Sequence, residues 1–289
     1  MTPTMARALL LAGAMLLGSI AAAVPAQEPP RVVVYPATSA AGDQRGDYYV
    51  NLLKLALAGA DGHFVVQPSA DPSVATRAFA NMGTGRGIDV IWAPTTAELE
   101  RDYLPVRIPL DKGILGWRIF LIAEHDQGLF EAVNSQEQLK ALPAGQVGEW
   151  ADTAVLRANG LPVVTATHYE SLFRMLAVQR FRYLPRGIGE IAGELRNYGS
   201  LGLVIEPRLA LHYPMCTYFF VSRQNAELAR RLEQGLRRAQ KDGAFERLFR
   251  QFYGDAIQAA KLEQRRVFEL DNPTVTPSSC PRSGLPTAP

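Results

Sequence analysis

Two spacings of apolar residues alternate along the first third of the chain. The β-branched run "RVVVY" (31–35) predicts a buried strand. In "DYYVNLLKLALAG", Tyr49, Leu52, Leu53, Ala56 and Leu57 then recur at helical spacing until Gly59 and Gly62 stop them. "HFVVQ" (63–67) predicts a second strand. Asp71 reads as a helix N-cap with Pro72 at the first helical position, and Val74, Ala78 and Met82 mark one face of that helix. "IDVIW" (88–92) predicts a third strand. Strands alternating with helices imply right-handed crossovers and a parallel sheet covered by helices, the α/β class.

From Leu104 the pattern turns extended, with "LPVRIPL" and "GWRIFLIAE" joined by the turn residues Asp111, Lys112 and Gly113. A second alternating unit follows. "GQVGEW", "LPVVTA", "RFRYL" and "LGLVIE" (201–206) read as strands. "DTAVLRANG", capped by Asp152 and stopped by Gly160, "YESLFRMLA" and "IGEIAGEL" read as helices. "TYFFVS" (217–222) reads as a strand of a different sheet, and amphipathic helices near 225–241 and 244–253 close the pattern. The order is one α/β unit, a second unit inserted after about residue 123, and a return near residue 213. Two chain crossings of this kind make a hinge. The expected division is 1–26 as leader, 27–123 with 214–271 as one lobe, 124–213 as the other, and 272–289 as a tail.

Composition narrows the function. With 289 residues, 47% of them hydrophobic, the chain can bury a core for each of two units. Its 30 Lys and Arg stand against 28 Asp and Glu, mixed along the sequence without a basic block, which argues against a nucleic-acid partner. The start, "MTPTMARALLLAGAMLLGSIAAAVPAQEPP", has one early cation, a diluted apolar run, and Val24 and Ala26 placed for cleavage before Gln27. It reads as a secretory signal peptide, which makes the mature protein soluble and periplasmic. Cleavage takes Arg7 alone from the charge balance. Export permits a disulfide between the only two cysteines, Cys216 and Cys280; two unpaired thiols is the other reading. The four histidines stand singly, so no metal site is expected, and no G-x-S-x-G, H-E-x-x-H, P-loop or dinucleotide fingerprint implies a catalytic motif or a cofactor.

"IDVIWAPTTAELERDYLPVRIPL" and "AQKDGAFERLFRQFYG" resemble motifs of the solute-binding protein family 3 of periplasmic transport systems. The resemblance runs from "RVVVYP" to "FYGDA", and "IPLDKGILGWRIFLI" is similar to one subgroup of that family. It implies the type II periplasmic binding fold: two lobes, each a mostly parallel sheet flanked by helices, joined by two hinge crossings. It also implies a monomer that closes on an amino-acid-like solute for an ABC permease or a sensor, without catalysis.

By that resemblance Thr96 and Arg101 take the ligand's carboxylate, the arginine through two parallel hydrogen bonds, and Thr95 beside them is a further ligand-binding candidate. The residues also fit a solvated helix face, with Arg101 beside Glu98, Glu100 and Asp102, and Arg107 competes for the role. Tyr35 and Trp92, at strand ends, would cover the ligand or belong to the core. Asp152 and Thr153 would present a helix N-terminus or simply cap it, and Arg186 would reach an acidic ligand or sit in a surface turn. Glu206 would receive a ligand ammonium. The same carboxyl would serve as general acid in the alternative reading, a dehydratase on the same fold. "PATSAAGDQRGDYY" departs from the family, which usually carries a Gly-Phe-Asp stretch there.

Overall fold

The computed structural model describes residues 29–37, 46–58, 64–72, 75–84 and 87–281. The cleavage site at Ala26 and Gln27 lies outside them, as do Gly59, Gly62 and Val74. The first unit runs β1 (Arg31–Ala37), α1 (Asp47–Leu57), β2 (Phe64–Pro72), α2 (Ala75–Gly83), β3 (Val90–Pro94), α3 (Ala97–Asp102) and β4 (Leu104–Val106). The second runs β5 (Trp117–Ala123), α4 (Gln127–Glu131), α5 (Gln136–Lys140), β6 (Ala144–Val147), α6 (Ala151–Ala158), β7 (Val163–Ala166), α7 (Tyr169–Ala177), β8 (Tyr183–Gly187), α8 (Ile191–Tyr198), β9 (Leu203–Ile205) and β10 (Leu209–His212). The chain then forms β11 (Thr217–Val221), α9 (Ala226–Lys241), α10 (Ala244–Ala260) and β12 (Arg266–Glu269).

The helix α1 forms because its apolar residues fall on one stripe, and Tyr48, Tyr49, Leu52, Leu53, Ala56 and Leu57 are all buried against α9 and α10. Each such large side chain contributes about 1.5–3 kcal/mol of transfer free energy. The β1 and β2 strands pair in parallel, and β11 joins β3 and β4 in an antiparallel three-stranded sheet. Between these two sheets the Asp89 side chain accepts from the Val34 amide at 2.8 Å, and the Asp89 amide donates to the Val34 carbonyl.

The large sheet has the order β12-β10-β5-β8-β6-β7, with β9 also on β5. Its β6, β7 and β8 are parallel, whereas β5 runs antiparallel to β8, β9 and β10. The expected lobe boundaries leave residues 117–123 and 266–269 with the first unit, whereas β5 and β12 pair within the large sheet. Every residue of "WRIFLIA" is buried. A strand apolar on both faces needs a neighbour on each edge and helices above and below, and only the large sheet supplies them. The strand β12 follows because it pairs with β10 along its length.

A correction concerns Asp71 and Pro72, which end β2 instead of starting a helix. Here β2 pairs only with β1, and a proline is tolerated on such an edge because no ladder donor is missing.

The crossings lie at 107–116 and 213–216. Tyr213 donates its amide to the Gly116 carbonyl, Leu110 to the Thr217 carbonyl, and Thr95 to the Cys216 carbonyl. A side chain on Gly116 would collide with the Tyr213 backbone, so the two crossings touch because one lacks a Cβ. A third strand of chain runs beside them. Leu270 donates to His212, Asn272 holds the Pro214 carbonyl, and Ala97 donates to Thr274, before Cys280 closes a disulfide to Cys216.

Candidate ligand-binding cleft

Beside the crossings a cavity of about 140 Å³ opens, lined by Tyr48, Tyr49, Asp111, Leu115, Phe252 and Tyr253 from the first unit and its helices, and by Gly187, Gly189 and Glu190 from the second. The rings come from the buried stripe of α1 and from α10, whose Tyr253 edge packs on Tyr48 with centroids 4.8 Å apart. Burial pushes the hydroxyls of Tyr48, Tyr49 and Tyr253 well above the ordinary tyrosine range, so all three stay neutral.

Asp111 is fully buried at the mouth of the first crossing. Its carboxylate accepts from the Thr217 hydroxyl at 2.7 Å, the Tyr49 hydroxyl at 3.1 Å and the Gly113 amide at 3.1 Å. Desolvation raises its pKa, and these three donors partly offset that. All three donors are neutral.

Next to the cavity lies a buried ionic cluster. Arg118, 3% exposed, donates to the Tyr213 hydroxyl at 3.1 Å and stands 2.7 Å from Asp152 and 3.5 Å from Glu190. Arg186 grips both oxygens of Glu194 through Nε at 2.8 and 2.9 Å, reaches Glu190 at 3.1 Å, and lies 4.6 Å over the Trp150 ring. Burial disfavours both guanidinium charges, yet the carboxylates around them outweigh it and hold both pKa values above the ordinary arginine range. Gly187 makes this possible, since a Cβ there would stand 2.8 Å from the Glu190 carboxylate and 3.0 Å from Arg118 Nη1.

Against this geometry, the solved structures most similar to the chain have a common form. An ancestral arginine-binding protein bound to arginine aligns with a TM-score of 0.57 and 16% identity, over 79% of this chain and 100% of that one. A structure from glutathione import via GshT and the cystine ABC importer TcyBC of Streptococcus mutans gives 0.56 and 12%, over 78% and 96%. The ancestral amino-acid-binding protein AncCDT-1, a precursor of cyclohexadienyl dehydratase, gives 0.55 and 13%, over 78% and 95%. The fold is that of the two-lobed periplasmic binding proteins. No family model and no curated protein matches the sequence.

In this binding-protein fold the cavity lies between the lobes, and the residues singled out from sequence fall into three groups. Asp152 and Arg186 are buried in the ionic cluster, Asp152 accepting from the Tyr213 hydroxyl. Arg186 is therefore no surface turn, and Asp152 caps nothing, because Trp150 occupies the N-cap of α6. Thr153 turns its hydroxyl to the Val147 carbonyl at 2.9 Å.

Trp92 stands one ring behind the cavity and Tyr35 two. Trp92 stacks on Tyr49 with centroids 5.6 Å apart and 15° between planes, and Tyr35 tilts against Trp92 at 5.6 Å.

The remaining residues lie elsewhere. Thr96 caps α3, accepting from the Leu99 amide, and Thr95 donates to Glu100 at 2.7 Å. The Arg101 side chain is 68% exposed and forked on Asp102, in the last turn of the six-residue α3. Arg107 is held by Glu100 at 2.6 Å. Glu206 caps its own turn, accepting from the amides of Arg208 and Leu209, with Arg265 at 3.8 Å. It does not line the cavity. Sequence reading missed Arg118, Asp111 and Glu190. The signal for Arg118 was a charge inside an otherwise apolar strand.

Proposed function

We propose that this is an exported solute-binding protein that closes two lobes over a small polar or charged solute and presents it to a permease or sensor in the inner membrane. The observation that carries this is the cavity whose walls come from both lobes, because a solute held there is enclosed only when the lobes meet. The first lobe comprises β1–β4, β11, α1–α3, α9 and α10, and the second the large sheet with α4–α8. The leader-like start and the Cys216–Cys280 bond both fit an oxidising, extracytoplasmic compartment. Among the described residues no helix is long and apolar enough to cross a membrane.

Glu206, the general acid of the dehydratase reading, is spent on two backbone amides outside the cavity, so that assignment loses its residue. The test is a thermal-shift screen of cationic, zwitterionic and anionic small solutes on the mature chain. A ligand at 100 times its Kd adds about 2.7 kcal/mol, which for a chain of this size raises Tm by about 5 to 10 °C. A rise of that size, with the solute recovered unchanged, is expected; turnover of the solute, or no response to any class, contradicts the reading.

A further inference from the structure

Among the described residues, no free arginine stands near the cavity to perform the carboxylate recognition that the sequence resemblance implies. Arg118 is committed to Tyr213, Asp152 and Glu190, and Arg186 to Glu194 and Glu190. Arg101 and Arg107 are paired on the surface of the first lobe. Lys112 follows Asp111 directly, but its ammonium turns outward to Glu246 at 3.0 Å. Among the described residues no lysine, arginine or histidine lines the cavity, and two carboxylates, Asp111 and Glu190, do.

Of these two, Glu190 has guanidinium partners. Asp111 has none. Its three bonds come from two hydroxyls and one amide, so a fully buried carboxyl stands at the wall of a cavity with no counter-charge among the described residues. Buried charges are paired or neutralised, since desolvating a lone carboxylate costs several kcal/mol. The rest of that wall is four aromatic rings, Tyr48, Tyr49, Phe252 and Tyr253, with Ile114 and Leu115. Ring faces attract cations through their quadrupole, and do so most strongly where water is excluded. A cavity of about 140 Å³ matches the size that takes a guest of roughly six non-hydrogen atoms.

We propose that the interlobe cavity takes a small organic cation, a methylated ammonium or an amine, with Asp111 as its counter-ion and the rings of Tyr48, Tyr49, Phe252 and Tyr253 as its walls. This rests on the solute-binding reading and names the chemical class of its solute. Phe252, on α10, is the most exposed of the four rings and faces an entering ligand first. Glu190, from the second lobe, brings a second carboxylate to the same cavity, paired there with Arg118 and Arg186, which leaves Asp111 as the counter-ion.

The experiment uses the mature protein at neutral pH with tetramethylammonium chloride and choline chloride as probes, and sodium chloride, glycine and sodium acetate at equal concentration as comparisons. Melting temperature and calorimetric affinity are read on wild type, Asp111→Asn and Phe252→Ala. The two cations are expected to raise Tm where the other three do not. Asp111→Asn is expected to weaken them at least tenfold while the unliganded variant melts no lower than wild type, because a buried charge has been removed. Phe252→Ala, at a partly exposed site that tolerates truncation, is expected to weaken them at least fivefold. Should Asp111→Asn fail to fold, the Phe252 comparison decides. Stabilisation by glycine or acetate alone overturns the cation assignment and leaves the solute-binding reading standing. Undiminished cation affinity in both variants also overturns it. No response to these probes or to any solute of the wider screen overturns both.

Discussion

Arg118 of β5 and Asp152 of α6 stand 2.7 Å apart in the interior of the second lobe, with the Tyr213 hydroxyl bonded to both. The pair ties the strand that leaves the first crossing to the helix that follows β6, and Tyr213 brings in the second crossing. Removing one partner strands the other as a buried charge. Arg118→Met should therefore cost about 3–5 kcal/mol, and the double variant Arg118→Met/Asp152→Leu should recover much of it. Urea melts of the four proteins measure the coupling. Additive losses would mean that the two side chains are independent.

Arg101 offers the opposite case. Its side chain is exposed and pairs with its neighbour Asp102. Arg101→Ala should leave melting temperature and solute affinity within error of wild type. Calorimetry with whichever solute stabilises the protein checks this, and a large loss of affinity would return Arg101 to the binding role that its sequence context implied.

The Cys216–Cys280 bond closes a separation of 64 residues and fastens the strap after β12 across both crossings. Loop closure on this scale contributes about 2–4 kcal/mol. Melts with and without reductant should differ accordingly, with the reduced protein less stable. Equal melting would show that the hydrogen bonds of Asn272 and Thr274 hold the strap unaided.

Burial raises the Glu206 carboxyl above its ordinary range, partly offset by the Arg208 and Leu209 amides and by the charges of Arg265 and Arg208. A raised native pKa means that the folded chain binds its proton more tightly than the unfolded one. The resulting stability is present below the ordinary glutamate pKa and declines as pH rises through the raised native value. The stability of wild type relative to Glu206→Gln should thus fall as pH rises from about 4, the ordinary glutamate value, through the raised native value, measured by melts across that rise. A difference that grows with pH would reverse the sign. Solute affinity should be the same in both proteins, because Glu206 lies outside the cavity.

The legible parts of the fold were those with strong local periodicity. The runs 31–35, 88–92 and 217–221 read as strands from β-branched and aromatic content, and α1, α7 and α9 from one-sided apolar stripes. The four-residue strands β10, "LALH", and β12, "RVFE", were not legible, since they are too short to show a period and exist by pairing with each other. The site failed for a related reason. Asp111 sits in "PLDKG", where aspartate is ordinary turn chemistry. Only the fold shows that its carboxylate points inward to Thr217, which is 106 residues away. For Arg186 the sequence leaves an acidic ligand or a surface turn beside Pro185 and Gly187 as readings, while the partners that bury it, Glu194 and Trp150, come from α8 and from the turn before α6.

The central claim is that one small solute binds between the lobes, in the cavity beside the crossings. The direct measurement is isothermal calorimetry on wild type and on Leu115→Trp, which fills that cavity with an indole from its own wall, using the solute that most raises the wild-type melting temperature. One site per chain on wild type, and loss of binding in a folded Leu115→Trp protein, is the result expected. Equal affinity in the two proteins would place the solute elsewhere and contradict the account.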